Sequence, residues 1–279
     1  MQQTTRLIPL ALALLAAPML AAPLLAADEP RSEVVAADDI QWGYLNPLRG
    51  KLSPGAADLW GDRTTDSATG MLVRFNKGFA SPPHIHNITY RGVVIEGLMH
   101  NDDPDARRMW MPKGSFWTQP AGEDHITAAN AEHNLIYLEI DSGPYLVQPS
   151  SEQFDNGERP LNLHANNLVW VDQAQRPELD AEGTALAELW GDPSPGAMGG
   201  TLIRLPAGFQ GRLVADAEEF RAVVIQGSLS YRSAERDGAS ALGAGSYFGS
   251  RGAFEHQLAS EQGGLIYLRT DGTYRLSSN

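Results

Sequence analysis

The chain has 279 residues, with 34 acidic side chains against 21 Lys and Arg, 42% apolar residues, 28 Gly, 18 Pro and no Cys. A net charge of -13 argues against the basic stripe that nucleic acid or anionic lipid would need. Zero Cys excludes disulfides, thiolate metal sites and cysteine nucleophiles.

Residues 1–27 carry a single charge, Arg6, then an apolar run from Leu7 to Leu25 broken by Pro9, Pro18 and Pro23. Small residues Ala26 and Ala27 precede the first acidic pair, Asp28 and Glu29. A basic start, an apolar middle and a small-residue boundary describe a secretory signal peptide. The run is about long enough to anchor in a bilayer, but its prolines and Ala-rich end favour cleavage. The expectation is a periplasmic or secreted protein with no membrane attachment once the signal is removed.

Beyond residue 28 the chain repeats itself. Leu59-Trp60-Gly61-Asp62 recurs as Leu189-Trp190-Gly191-Asp192, and Gly78-Phe79 as Gly208-Phe209. Tyr90-Arg91-Gly92-Val93-Val94-Ile95 recurs as Phe220-Arg221-Ala222-Val223-Val224-Ile225, and Leu135 to Leu138 as Leu265 to Leu268. Each pair lies 130 positions apart, with a one-residue slip at Gly114-Ser115 and Gly245-Ser246. Two copies of ordinary domain size follow, 28–150 and 151–279, joined through a polar, Pro- and Gly-rich stretch near 148–160. Within each copy, short β-branched and aromatic runs such as Met71 to Phe75 and Leu135 to Ile140 alternate with turn residues. The pattern predicts an all-β chain of two barrels or sandwiches. Glu178 to Leu189 is the best stretch for a helix.

His84 and His86 are two apart, so on a strand both imidazoles face one way. His125 follows the turn Pro120-Ala121-Gly122 and can return a third imidazole to that face. Three neutral imidazoles leave open coordination positions on a divalent transition metal, and without sulfur ligands Fe, Mn, Zn, Ni and Cu all remain open. Tyr90 lies on the same side in this register. It could ligate weakly, hydrogen-bond to water at the metal, act as a catalytic acid or base, or simply pack. Trp110, Met109, Met111, Phe116 and Trp117 could line an aromatic pocket mouth, and His100 reads as a surface residue. There is no phosphate-binding glycine loop and no serine nucleophile elbow.

These residues resemble the cupin superfamily. Gly78-x5-His84-x-His86 with Tyr90 and Gly97 is similar to the first cupin motif, and Gly114-x5-Pro120-x-Gly122-x2-His125 to the second. The resemblance spans both copies and implies two tandem cupin (jelly-roll, RmlC-like) β-barrels with a metal site in the barrel mouth. The Tyr-Arg-Gly-Val-Val-Ile run resembles ChrR-like cupins and an exported two-cupin family of unknown function. One departure stands out: Tyr90 occupies the position of the usual glutamate ligand, although three-His sites also occur among cupin dioxygenases. In the second copy Val214, Asp216, Phe220 and Arg251 replace the motif residues and His256 alone survives, so that barrel is expected to bind no metal. The resemblance implies either a metal-dependent enzyme on a small organic molecule, of dioxygenase, isomerase or lyase type, or a non-catalytic metal- or ligand-binding cupin. Cupins also often dimerise by strand exchange, which makes a homodimer an expectation.

Overall fold

The computed structural model describes residues 31–192, 194 and 196–279; the predicted signal peptide lies outside the described residues. Strands make up just over half of the described residues, and the few helices among them are short 3-10 turns. None of the described helices is long and apolar enough to cross a membrane.

The first copy forms a seven-stranded antiparallel sheet whose centre is Tyr90–Glu96, His133–Ile140 and Thr69–Asn76. Smaller sheets close it into a barrel: Leu98–Asp102 with Ile126–Ala129 and Met111–Pro112, and His84–His86 with Val147–Pro149. The core holds Met71, Val73, Val94, Trp117, Ile136 and Leu138. The second copy is a ten-stranded sheet in which Phe209–Arg232 and Tyr247–Ser260 run unbroken over 24 and 14 residues. In the first copy the same stretches are cut into shorter strands. Pro82, Pro83 and Pro120 explain the cuts, because proline has no N–H to give to a ladder. The second copy has no proline between Gly208 and Asn279.

Glu178 to Leu189 forms no helix. Leu179–Asp180 and Ala185–Gly191 are strands, and Leu179, Leu186, Ala187 and Leu189 are buried in the two clusters their sheet covers. Burial on a sheet overrides a weak helical pattern.

The two barrels exchange their leading strands. Ser32–Val35, which opens the first copy, pairs with Tyr247–Ser260 of the second; Leu161–Leu163, which opens the second, pairs with Phe116–Gln119 of the first. The cluster that holds Ala187 and Leu189 lies between the barrels and also includes Leu59, Trp60, Leu72, Tyr137 and Tyr267. Trp60 Nε1 donates to Tyr137 Oη at 3.2 Å, and Trp190 Nε1 to Tyr267 Oη at 2.8 Å. Both phenols donate in turn to the Glu139 carboxylate, at 3.0 and 2.7 Å. Arg91 stacks on Trp190 at 3.6 Å, and Arg221 on Trp60 at 4.8 Å. The repeated motifs therefore build the seam between the barrels, with each copy's Arg placed over the other's Trp.

Candidate metal centre

Two short backbone segments bring the histidines together. His84 and His86 stand on the strand His84–His86, and His125 is joined to His84 by two backbone hydrogen bonds of 3.0 Å. Their ligand nitrogens lie within 4.8 Å of one another, and all three side chains are buried.

Backbone carbonyls set the tautomers. His84 Nδ1 lies 3.0 Å from the Pro82 carbonyl, His86 Nδ1 2.9 Å from that of Leu146, and His125 Nδ1 3.1 Å from that of Glu123. A carbonyl can only accept, so each Nδ1 carries the proton and each Nε2 keeps its lone pair. Burial lowers all three pKa values, that of His125 to about 3 and that of His86 well below its ordinary value. The cluster is thus three neutral imidazoles at neutral pH, the donor set that a divalent transition metal takes. These residues fit one such ion.

Two phenols close the cluster. Tyr90 Oη lies 3.2 Å from His125 Nε2, and Tyr145 Oη 3.2 Å from His86 Nε2 with the two rings stacked at 4.4 Å. Burial raises both tyrosine pKa values, so both hydroxyls keep their protons. Beside Tyr90 runs a polar chain of the buried Asn101 and Gln119 and the half-buried Thr127. In front is a cavity of about 140 Å³ whose walls include Val73, Phe75, Phe79, Trp117 and Leu138, with Arg49 at its edge. Gly92 makes room for that wall: a side chain there would overlap the indole of Trp117.

The model of the family described as "Domain of unknown function (DUF4437)" matches residues 33–277. The chain belongs to the DUF4437 family. No curated protein matches it in sequence. Among solved structures, a protein described as a candidate dioxygenase from Nostoc punctiforme superposes with a TM-score of 0.67 at 15% identity, over 90% of this chain and 88% of that one. Salicylate 1,2-dioxygenase from Pseudoaminobacter salicylatoxidans, in a structure with gentisate, gives 0.54 at 14% identity, over 77% and 73%. The protein Ylba from E. coli, of the DUF861 family, gives 0.57 at 14%, over 86% and 90%. At these identities the likeness is one of fold, the all-β jelly-roll barrel of the cupin type.

The second barrel of the DUF4437 chain corrects the sequence alignment by one residue. Leu213, not Val214, stands opposite His256 as His84 stands opposite His125. Leu213 and Ala215 therefore face inward, while Val214 and Asp216 are exposed. A bulge between Ala217 and Phe220 restores the offset of the following strand. Asp216 is no partner for His256. The imidazole is instead held by Tyr231 Oη at 2.9 Å and Ser250 Oγ at 3.0 Å, stacked on Phe220. Both ring nitrogens are engaged, so the residue is a satisfied core histidine.

His100 is also corrected. It is 1% exposed, lying beside Trp110, because the 103–110 loop folds over its strand. Of the aromatic residues expected at a pocket mouth, Trp117 lines the cavity, whereas Phe116 packs into the seam and Met111 into the core. Sequence reasoning missed Tyr145, 59 residues from His86. The signal was there: Gly143-Pro144-Tyr145 recurs as Gly272-Thr273-Tyr274.

Proposed function

We propose that this protein is an exported, metal-dependent cupin enzyme that acts on a small organic molecule, with dioxygenase-type chemistry as the leading reaction class. The observation that carries the reading is the convergence of three neutral imidazoles, His84, His86 and His125, two of which (His84 and His86) line an apolar cavity. A divalent metal there would supply Lewis acidity and open positions for oxygen or substrate. The dioxygenase names among the structural neighbours favour iron. The chain's own part is to fix the ligand tautomers through the Pro82, Leu146 and Glu123 carbonyls. The apolar wall excludes water, and the two phenols orient what binds. Export rests on the predicted signal peptide and is checked by fractionating the native host.

The test is oxygen uptake by iron-loaded protein against a panel of small hydroxy acids and diketones. Uptake that needs iron and disappears in His84→Ala supports the reading. Turnover without oxygen consumption would move the chemistry to isomerases or lyases. Ligand binding with no turnover anywhere in the panel would favour a non-catalytic, ligand-holding cupin.

A further inference from the structure

The hydrogen-bond directions around the site are fixed from outside it. Gln119 Nε2 lies 3.1 Å from the Glu123 carbonyl, which can only accept, so the Gln119 amide must turn its NH2 group there. Its Oε1 then faces Asn101 at 2.8 Å, and Asn101 must offer Nδ2 to it. That leaves Asn101 Oδ1 to accept from both Tyr90 Oη and Thr127 Oγ1, each at 2.8 Å. The one proton of Tyr90 is committed to Asn101. Its oxygen consequently presents lone pairs to His125 Nε2, 3.2 Å away, and that nitrogen carries no proton either. Two lone pairs face each other, so the space beside them suits a cation or a hydrogen-bond donor, and Tyr90 acts toward the site as an acceptor.

Tyr145 has the opposite polarity. Among the described residues its hydroxyl bonds to His86 Nε2 alone, an acceptor, so its proton points into the cluster. Once a cation takes that nitrogen's lone pair, the Tyr145 proton is available to a ligand oxygen. Trp117 is 1% exposed and lines the cavity, and its indole N–H is directed at the Tyr90 oxygen, in keeping with the acceptor role of that phenol. The site therefore offers one acceptor and one donor at the edge of a space of about 140 Å³, close to the roughly 150 Å³ that accommodates benzene.

We infer that Tyr90, held as an acceptor by Asn101, and Tyr145, held as a donor by His86, make this site select a small, largely apolar acid with a hydroxyl beside its anionic oxygen. The hydroxyl proton goes to Tyr90. The anionic oxygen accepts a hydrogen bond from Tyr145 Oη, with the Arg49 cation at the cavity edge. Asn101 is a positioning residue, acting through Tyr90. The inference rests on the metal reading above.

The experiment loads the full chain with cobalt(II), measures cobalt content, and titrates with 2-hydroxybenzoate and 2-methoxybenzoate by calorimetry. The ratio of the two dissociation constants is the readout, because methylation replaces the proton that Tyr90 would accept with a methyl group, whose bulk is the same in every variant. Chelation alone also favours the hydroxy acid, so the comparison is between variants. In Tyr90→Phe the ratio should shrink about tenfold, the effect of one hydrogen bond, with cobalt retained. Asn101→Leu should also shrink it with the phenol still in place, because the Tyr90 proton is then free to turn inward. Tyr145→Phe should weaken both probes alike and leave the ratio unchanged. A ratio that is the same in wild type and Tyr90→Phe would overturn the inference while leaving the metal reading standing. A wild-type chain that takes up no cobalt would overturn both.

Discussion

Tyr145 Oη donates its proton to His86 Nε2 across 3.2 Å, on the nitrogen that a metal would need. The phenol and a metal ion therefore compete for one lone pair, and binding must break that hydrogen bond, worth about 1 kcal/mol. Tyr145→Phe should raise metal affinity several-fold, as read by competition with a chromophoric chelator. A fall of tenfold or more would mean that Tyr145 is itself a ligand.

Tyr90→Glu places the usual cupin carboxylate beside His125. Without metal that carboxylate would be buried against Asn101 Oδ1 and three imidazoles that carry no charge. Burial of an unpaired charge is unfavourable, so the apo variant should melt below wild type. Saturating metal should then raise its melting temperature more than it raises that of wild type. Equal metal-induced shifts in the two proteins would contradict this.

Which residues the sequence made legible follows from where the repeats agree. Trp60 and Trp190, Arg91 and Arg221, and Tyr137 and Tyr267 stand out as pairs because both copies need them for the seam. His84 and His86 stand out for the opposite reason, as motif residues held by one copy alone, whereas His125 keeps a counterpart in His256. Tyr145, Asn101 and Gln119 were not legible. They reach the site from three separate strands or turns, and only the folded barrel brings them within hydrogen-bond distance. The one-residue shift at Leu213 was hidden for a related reason: a shorter run before the strand and a bulge after it cancel by Phe220.

Glu139 and Arg269 occupy the same position in the two copies and meet in the seam at 3.5 Å, both almost fully buried. Arg269 also pairs with Asp141 at 2.6 Å and Glu219 at 2.8 Å. Arg269→Leu leaves Glu139 buried with two phenol donors but no close cation except Arg91 at 3.9 Å. Breaking a buried pair on one side costs about 3–5 kcal/mol, which urea unfolding would measure. Glu139→Gln combined with Arg269→Leu should lose less than Arg269→Leu alone. A loss under 1 kcal/mol in Arg269→Leu would contradict the structure's account of the seam.

Burial lowers the pKa of His256 from its ordinary 6.5 to about 3. Between those values the unfolded chain binds a proton that the native chain does not. The stability conferred by the neutral imidazole is therefore complete above pH 6.5 and is lost as the pH falls toward 3, at about 1.4 kcal/mol per unit. His256→Phe removes this contribution. Its stability should decline less steeply than wild type from pH 6.5 to 4, whatever its stability at pH 7. Parallel slopes for the two proteins would show that His256 is not buried as a neutral ring.

The metal content of the purified chain tests the central claim most directly. Elemental analysis should find about one transition-metal ion per chain in the wild type and in His256→Ala, the one-site stoichiometry of a three-imidazole set. His84→Ala and His125→Ala should each fall close to zero while remaining folded by circular dichroism. Metal that stayed near one per chain without His84 and His125 would contradict the assignment of the site.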